Sequence, residues 1–211
     1  LPPLTFYEYI HLRGYTNIMR EGMIHWQDQD LKCSSTMDIN KLNELLLDYI
    51  NYGGYPEVVF SEKIRENPGQ FIRHDIIDKV LLRVKKEVLR KYIQYLEAAF
   101  LIKVIRRTDD TAKSYQRETQ FKIYLTNPSL RCALFQPISE QDDEIGDMVE
   151  TSVYAQWIPR PGASISYANW KNGRSQGEVD IVGINIGRQK PAWAVEIKWT
   201  DRFYERPGEL E

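Results

Sequence analysis

Leu42, Leu45, Leu46, Tyr49 and Ile50 recur at three- and four-residue steps in DINKLNELLLDYINY, residues 38–52, which predicts an amphipathic helix capped by Asp38. Gly53 and Gly54 let the chain leave that helix, and Pro56 prevents its continuation. A second apolar stripe, Phe71, Ile72, Ile76, Val80 and Leu81, predicts a helix over 69–83 that packs against the first.

The pattern changes within KEVLRKYIQYLEAAFLIKVIRR. Val88, Tyr92, Ile93, Leu96 and Ala99 form one side of a helix, and from Leu101 the composition favours a strand. A partner strand follows in QFKIYL, residues 120–125, across the polar stretch TDDTAKSYQRET, which reads as a long hairpin loop. A helix followed by a two-stranded hairpin with a basic tip is the outline of a winged helix-turn-helix. Arg90 and Lys91 on the helix, with Arg106, Arg107, Lys113 and Arg117 on the wing, are its candidate phosphate contacts. Glu87 and Glu97 share the outward side of the helix with Arg90 and Lys91, so the same residues also fit a solvated structural helix.

In the last third, DDEIGDMVETSVYAQW predicts a helix with Ile145, Val149 and Val153 on one face and Glu150 at its edge, stopped by Pro159 and Pro161. ASISYANW reads as a strand, Asn172-Gly173 as a hairpin turn, and two further strands are expected over 178–184 and 192–199. Trp157, Trp170, Trp193 and Trp199 are expected in a core or an interface rather than as a base-stacking platform. The class expected is therefore mixed α/β.

Composition narrows the functional classes. With 42% hydrophobic and 27% charged residues among 211, the chain has the make-up of a globular protein, not a disordered one. Apolar runs such as 98–102 fall far short of the roughly 20 residues needed to span a bilayer, and LPPLTFYEYI has no signal-like pattern. A cytoplasmic location without membrane contact is the expectation. Cys33 and Cys132 are too few for a disulfide framework, and His11, His25 and His74 make no zinc spacing with them. Net charge is −2, so nucleic-acid binding rests on local patches. No G-x-x-x-x-G-K-[ST] loop is present to cradle a triphosphate.

Candidate chemistry lies in GEVDIVGINIGRQKPAWAVEIKWT, residues 177–200. Alternation along a strand puts Glu178 and Asp180 on one face, and Glu196 and Lys198 on one face, away from Val179, Ile181, Val195 and Ile197. Pairing of the two strands brings Asp180 opposite Glu196, and carboxylates that close call for a cation. Mg²⁺, with Mn²⁺ as a substitute, suits two carboxylates and a substrate phosphate. Hydrolysis of a phosphodiester fits, with Asp180 and Glu196 as metal ligands, Lys198 orienting water or offsetting transition-state charge, and Glu150 as a further ligand or base. Glu178 reads as a bystander. The plain alternative is a salt-bridged, solvent-facing strand surface, whose ion pairs contribute at most about 1 kcal/mol each.

An acidic residue followed by an acidic-x-Lys motif on adjacent strands, after a helix that supplies a Glu, resembles the PD-(D/E)XK nuclease-like superfamily; here the matching residues are Asp180, Glu196, Lys198 and Glu150. A broader resemblance is carried by LPPLTFYEYI, LLLDYINYGGYPEVV, FIRHDIIDKVLLR, LRKYIQYLEAAFLI, KIYLTNPSLRCAL, GDMVETSVYAQW, GEVDIV and AVEIKW, in that order. It is similar to a class of prokaryotic AAA-type ATPases with a P-loop domain, a helical connector, a winged-helix segment and a C-terminal domain of unknown function on a nuclease-like core. The resemblance implies a C-terminal portion of such a protein, with ATP confined to an upstream domain. It divides the chain into a connector over 1–83, a winged-helix-like segment over 84–130 and a restriction-endonuclease-like α/β domain over 131–211. In that class further winged-helix elements usually stand where Arg83 here runs straight into Val84, and a helix and a strand normally complete the nuclease-like core after the position of Glu211. The implied partners are DNA or RNA and the upstream ATPase domain. Three functions follow as alternatives: a metal-dependent nuclease, a non-catalytic binding module that regulates the ATPase, or an oligomerisation domain.

Overall fold

The computed structural model describes residues 3–26, 29–66, 86–108, 121–157, 164–173, 175–185, 187–188, 190–200, 202 and 206. In chain order the elements are α1 (Phe6–Leu12), a 3-10 turn (Thr16–Ile18), β1 (Met19–Trp26), β2 (Gln29–Thr36), α2 (Ile39–Tyr52), α3 (Pro56–Phe60) and α4 (Glu62–Glu66). They continue with α5 (Lys86–Ala98), β3 (Ile102–Arg106), β4 (Phe121–Leu125), α6 (Ser129–Leu134), α7 (Ile145–Ala155), β5 (Ser164–Asn172), β6 (Ser175–Asn185) and β7 (Lys190–Val195). The class is mixed α/β, with small antiparallel sheets. Two compact units interleave along the chain: Leu1–Asp75 with Ser129–Glu140, and Ile76–Pro128 with Gln141–Glu211.

In the first unit α2 forms as its periodicity predicts. Asp38 accepts the Lys41 N–H at 2.9 Å, satisfying one of the orphan donors of the first turn. Its buried face, Leu45 and Tyr49, meets Tyr9 of α1 and Val59 of α3. Thr5 starts α1 through a reciprocal pair with Glu8: the Glu8 carboxylate accepts the Thr5 N–H at 2.7 Å, and Thr5 Oγ1 accepts the Glu8 N–H at 3.3 Å. In the last turn of α2, next to buried Tyr49 and Ile50, buried Asn51 clasps the backbone of Ile138, donating to its carbonyl at 2.9 Å and accepting its N–H at 2.8 Å. The β1–β2 hairpin has no counterpart in the sequence reading. Most of its side chains are exposed, Ile24, Trp26 and Leu31 among them, so no one-sided apolar pattern marks it.

In the second unit α5 ends in a Schellman turn: the Leu101 N–H reaches the Leu96 carbonyl at 3.0 Å and the Phe100 N–H reaches Glu97 at 3.0 Å. The same bonds close α1, from Tyr15 to Ile10 and from Gly14 to His11. The left-handed position is glycine in one case (Gly14, φ 76°) and phenylalanine in the other (Phe100, φ 59°). β3 and β4 then pair antiparallel, Ile102 with Leu125 through Arg106 with Phe121. β5, β6 and β7 form an antiparallel meander whose first turn carries Gly173 at φ 61°. A parallel bridge between Arg107 and Tyr167, with the Thr108 N–H donating to the Tyr167 carbonyl at 2.8 Å, joins hairpin to meander.

The core of this unit is Ile105, Tyr124, Tyr154, Tyr167 and Ile181, flanked by Trp157 and Trp193. Tyr124 stacks on Tyr154 with centroids 4.4 Å apart. Gly183 lies opposite Trp193 in the ladder, and a Cβ at Gly183 would come within 2.1 Å of the indole, so the ring packs over bare backbone.

Two expectations need amendment. β7 stops at Val195 rather than at Trp199, because the side chain of Asp180 takes the Ile197 N–H at 2.8 Å. Glu196, Ile197 and Lys198 therefore lie beyond the ladder, not within it. The helix expected over 69–83 and most of the polar loop, with Lys113 and Arg117, fall outside the described residues.

Candidate functional site

Five charged side chains of the second unit come from four segments: Lys122 from β4, Glu150 from α7, Glu178 and Asp180 from β6, and Lys198 from the stretch after β7. Lys122 Nζ lies 2.5 Å from Glu178 Oε1, 2.8 Å from Glu150 Oε1 and 3.4 Å from Asp180 Oδ1. Three carboxylates thus converge on one ammonium. The ammonium also lies over two aromatic rings, with Nζ 5.6 Å from the Tyr167 centroid and 5.9 Å from that of Tyr124.

Burial grades the carboxylates. The Asp180 side chain is 8% exposed, Glu150 18% and Glu178 40%, so Asp180 forms the floor and Glu178 the rim. Asp180 is fully engaged, one oxygen facing Lys122 and the other holding the Ile197 backbone. Glu150 also accepts the Tyr124 hydroxyl. Alternation explains how β6 supplies both acids: Glu178 and Asp180 are two residues apart and share a face.

The electrostatics follow the contacts. Burial opposes the charge on Lys122, but its hydrogen bonds to Glu150 and Glu178 more than offset that and hold the ammonium well above the ordinary lysine range. For Tyr124, burial and then the bond to Glu150 keep the phenol protonated well above its ordinary range. Lys198 is raised first by its hydrogen bond to Glu196, against a smaller opposing effect of burial, and the charges of Asp180 and Glu150 add to the rise. The field of the cluster therefore reaches Lys198.

Of the residues singled out in the sequence, Asp180 and Glu150 share Lys122, and Glu196 and Lys198 pair with each other beside them. Glu178, read as a bystander, makes the shortest of Lys122's ion pairs. Lys122 itself went unnoticed in the sequence, as did the tyrosines around it. The donor set suits a hard divalent cation in its chemistry, since carboxylate oxygens from α7 and β6 already surround one positive charge. Their spacing is that of an ammonium; among the described residues no three His, Cys, Asp or Glu side chains stand at metal-ligand geometry.

Also in the second unit, a cavity of about 490 Å³ is lined by residues that include Phe100, Tyr154, Trp157 and Ile165, with Glu97 and Lys103 among its polar groups. Glu97 and Lys103 pair at 3.0 Å. Arg90 and Lys91 are exposed on α5, Arg106 is exposed at the end of β3 and Arg107 is half-buried at the bridge to β5. Among the described residues, no helix is long and apolar enough to cross a membrane.

No curated protein and no solved structure matches the chain. Residues 77–142 match the family described as a domain of unknown function, DUF8612. That stretch contains Lys122 and Tyr124 and stops short of Glu150, Glu178 and Asp180, so the family resemblance covers the segment that supplies the ammonium and not the carboxylates it meets.

Proposed function

We propose that the second unit is a metal-dependent phosphodiester-hydrolysing module on a nuclease-like scaffold, acting on DNA or RNA beside an ATPase domain of the same protein. The observation that carries this reading is the convergence of Glu150, from α7, and Asp180, from β6, on a single cation position. Asp180, Glu150 and Glu196 would hold Mg²⁺ or Mn²⁺. Such an ion, when bound, polarises a phosphoryl oxygen and acidifies a water.

The chain's own residues have complementary work. Lys198, kept charged by Glu196 and by the field of Asp180 and Glu150, offsets negative charge that develops on the pentacoordinate phosphorus. Asp180, buried and hydrogen-bonded to the Ile197 backbone, fixes the start of the Glu196–Lys198 segment relative to β6. In this reading α5 with the β3–β4 hairpin is winged-helix-like, and Arg90, Lys91, Arg106 and Arg107 contact phosphates along the substrate. The module works in the cytoplasm, where nucleic acid and ATP are at hand.

Incubation of the chain with plasmid DNA and with structured RNA in Mg²⁺ or Mn²⁺ tests the reading. Nicking that disappears in both Asp180→Ala and Lys198→Ala supports it, and nicking unchanged in both variants overturns it.

A second reading rests on a different observation: Lys122 and Lys198 already neutralise part of the acidic cluster from within the chain. In that reading the scaffold binds nucleic acid or a protein partner without cleaving it. Binding that survives both chelation and Asp180→Ala, with no turnover, favours this reading over the first.

A further inference from the structure

The position of Lys122 has a consequence for any cation the cluster takes. A Mg²⁺ ion needs oxygens at roughly 2.1 Å, whereas an ammonium sits at ordinary hydrogen-bond distance from them. The ammonium of Lys122 stands between the same oxygens of Glu150 and Asp180 that the proposed site would use. Two cations cannot occupy one point, and in a half-buried site their repulsion is weakly screened. Lys122 is also no casual surface lysine, since its side chain is only 21% exposed and its charge lies over two tyrosine rings.

We propose that Lys122 is a resident counter-ion that holds the Glu150–Glu178–Asp180 cluster in order and that a divalent cation must displace before the site is loaded. The inference rests on the reading of the cluster as a metal site. It assigns Lys122 as a positioning residue, acting through the carboxylates and not on substrate. One ammonium against three carboxylates leaves two negative charges uncompensated, which a divalent ion satisfies better than a monovalent one. Glu178, at the exposed rim and already paired with Lys122, gives the displaced ammonium a partner to retain as it moves outward. Lys122 thereby sets a threshold: the cluster is preformed without metal, and filled only when divalent cation is sufficient to outcompete an attached ammonium.

The test uses the full chain and Mn²⁺ alone, with binding read from loss of the free-ion electron paramagnetic resonance signal and from the rise in melting temperature on adding Mn²⁺. Lys122→Met is expected to bind Mn²⁺ at least about tenfold more tightly than the parent, because the competitor is gone. Lys122→Arg, which keeps the charge, is expected to bind no more tightly than the parent, and adding Asp180→Asn to Lys122→Met should abolish the gain. A merely structural role for Lys122 would lower affinity in Lys122→Met, not raise it. If parent and Lys122→Met bind equally, the role of Lys122 is overturned while the metal site stands; if neither binds, both are overturned. Should Lys122→Met fail to fold, Lys122→Gln replaces it. In the parent, Lys122 should also be protected from acylation without Mn²⁺ and become reactive at saturating Mn²⁺, and unchanged reactivity there overturns the proposal.

Discussion

The carboxylate of Asp180 accepts the backbone N–H of Ile197 at 2.8 Å, so a side chain of β6 does the work of a ladder carbonyl where β7 has ended. This bond ties the acidic cluster to the segment that carries Glu196 and Lys198. Its loss should free that backbone locally. Asp180→Ala is expected to speed amide hydrogen exchange at Ile197 by at least roughly tenfold, as a charge-assisted bond of about 1.5 kcal/mol or more implies, whereas Asp180→Asn, which keeps an acceptor, should retain most of the protection. Unchanged exchange in Asp180→Ala would show that the bond does not anchor the segment.

Lys122 and Tyr124 both titrate above their ordinary ranges, so in the alkaline region the native state holds protons that the unfolded chain has released. Their contributions are complete below the ordinary tyrosine and lysine values, near 10 and 10.4, and are lost as pH rises through the higher native values. Stability from urea unfolding should fall above about pH 10, and Tyr124→Phe should make that fall shallower.

Burial pushes the Cys132 thiol up to about 11, whereas Cys33 is only partly covered on β2. At pH 8 a thiol reagent should therefore label Cys33 in the native protein and reach Cys132 only after denaturation. The raised value of Cys132 also removes stability as pH climbs from its ordinary value towards 11. Cys132→Ala should reduce that loss.

Gly14 and Phe100 occupy the same position in two Schellman turns, but only glycine is free of a Cβ penalty there. Phe100 is 69% exposed, so it recovers little of the strain through burial. Phe100→Gly should stabilise the second unit by about 1 kcal/mol, and Gly14→Ala should destabilise the first by a similar amount, both read by chemical denaturation.

Asn51 satisfies two buried backbone groups of Ile138 at once. Asn51→Leu leaves both without their partner and should cost about 2–4 kcal/mol of stability. Asn51→Asp keeps the acceptor but loses the donor, and should fall between the two.

How much of this was legible in the sequence depended on how directly each residue's environment follows from its neighbours. The Asp38 cap, the buried face of α2, the strand β4 and the turn at Gly173 all emerge from local periodicity and capping chemistry. Glu150 and Asp180 were found because their residue types and order carry a motif. Lys122 was not, and the reason lies in β4: Phe121 and Ile123 are 40% and 44% exposed, while Lys122 and Tyr124 turn inward. Alternation identifies two faces but not which one is buried, and hydrophobicity suggests the wrong choice here. The β1–β2 hairpin escaped for a related reason, since an exposed hairpin need not advertise a core-facing side. The end of β7 depended on a side-chain bond between residues distant in sequence, which no local pattern contains.

The interleaving of the two units bears on how the chain is made. α6, which packs against α2 and belongs to the first unit, is encoded after the whole of residues 76–128. During synthesis from the N-terminus, the first unit must wait with the Asn51 amide unpaired until Ile138 has left the ribosome. Nascent chains halted before Ser129 should consequently be more open to protease near α2 than chains released just beyond Glu140.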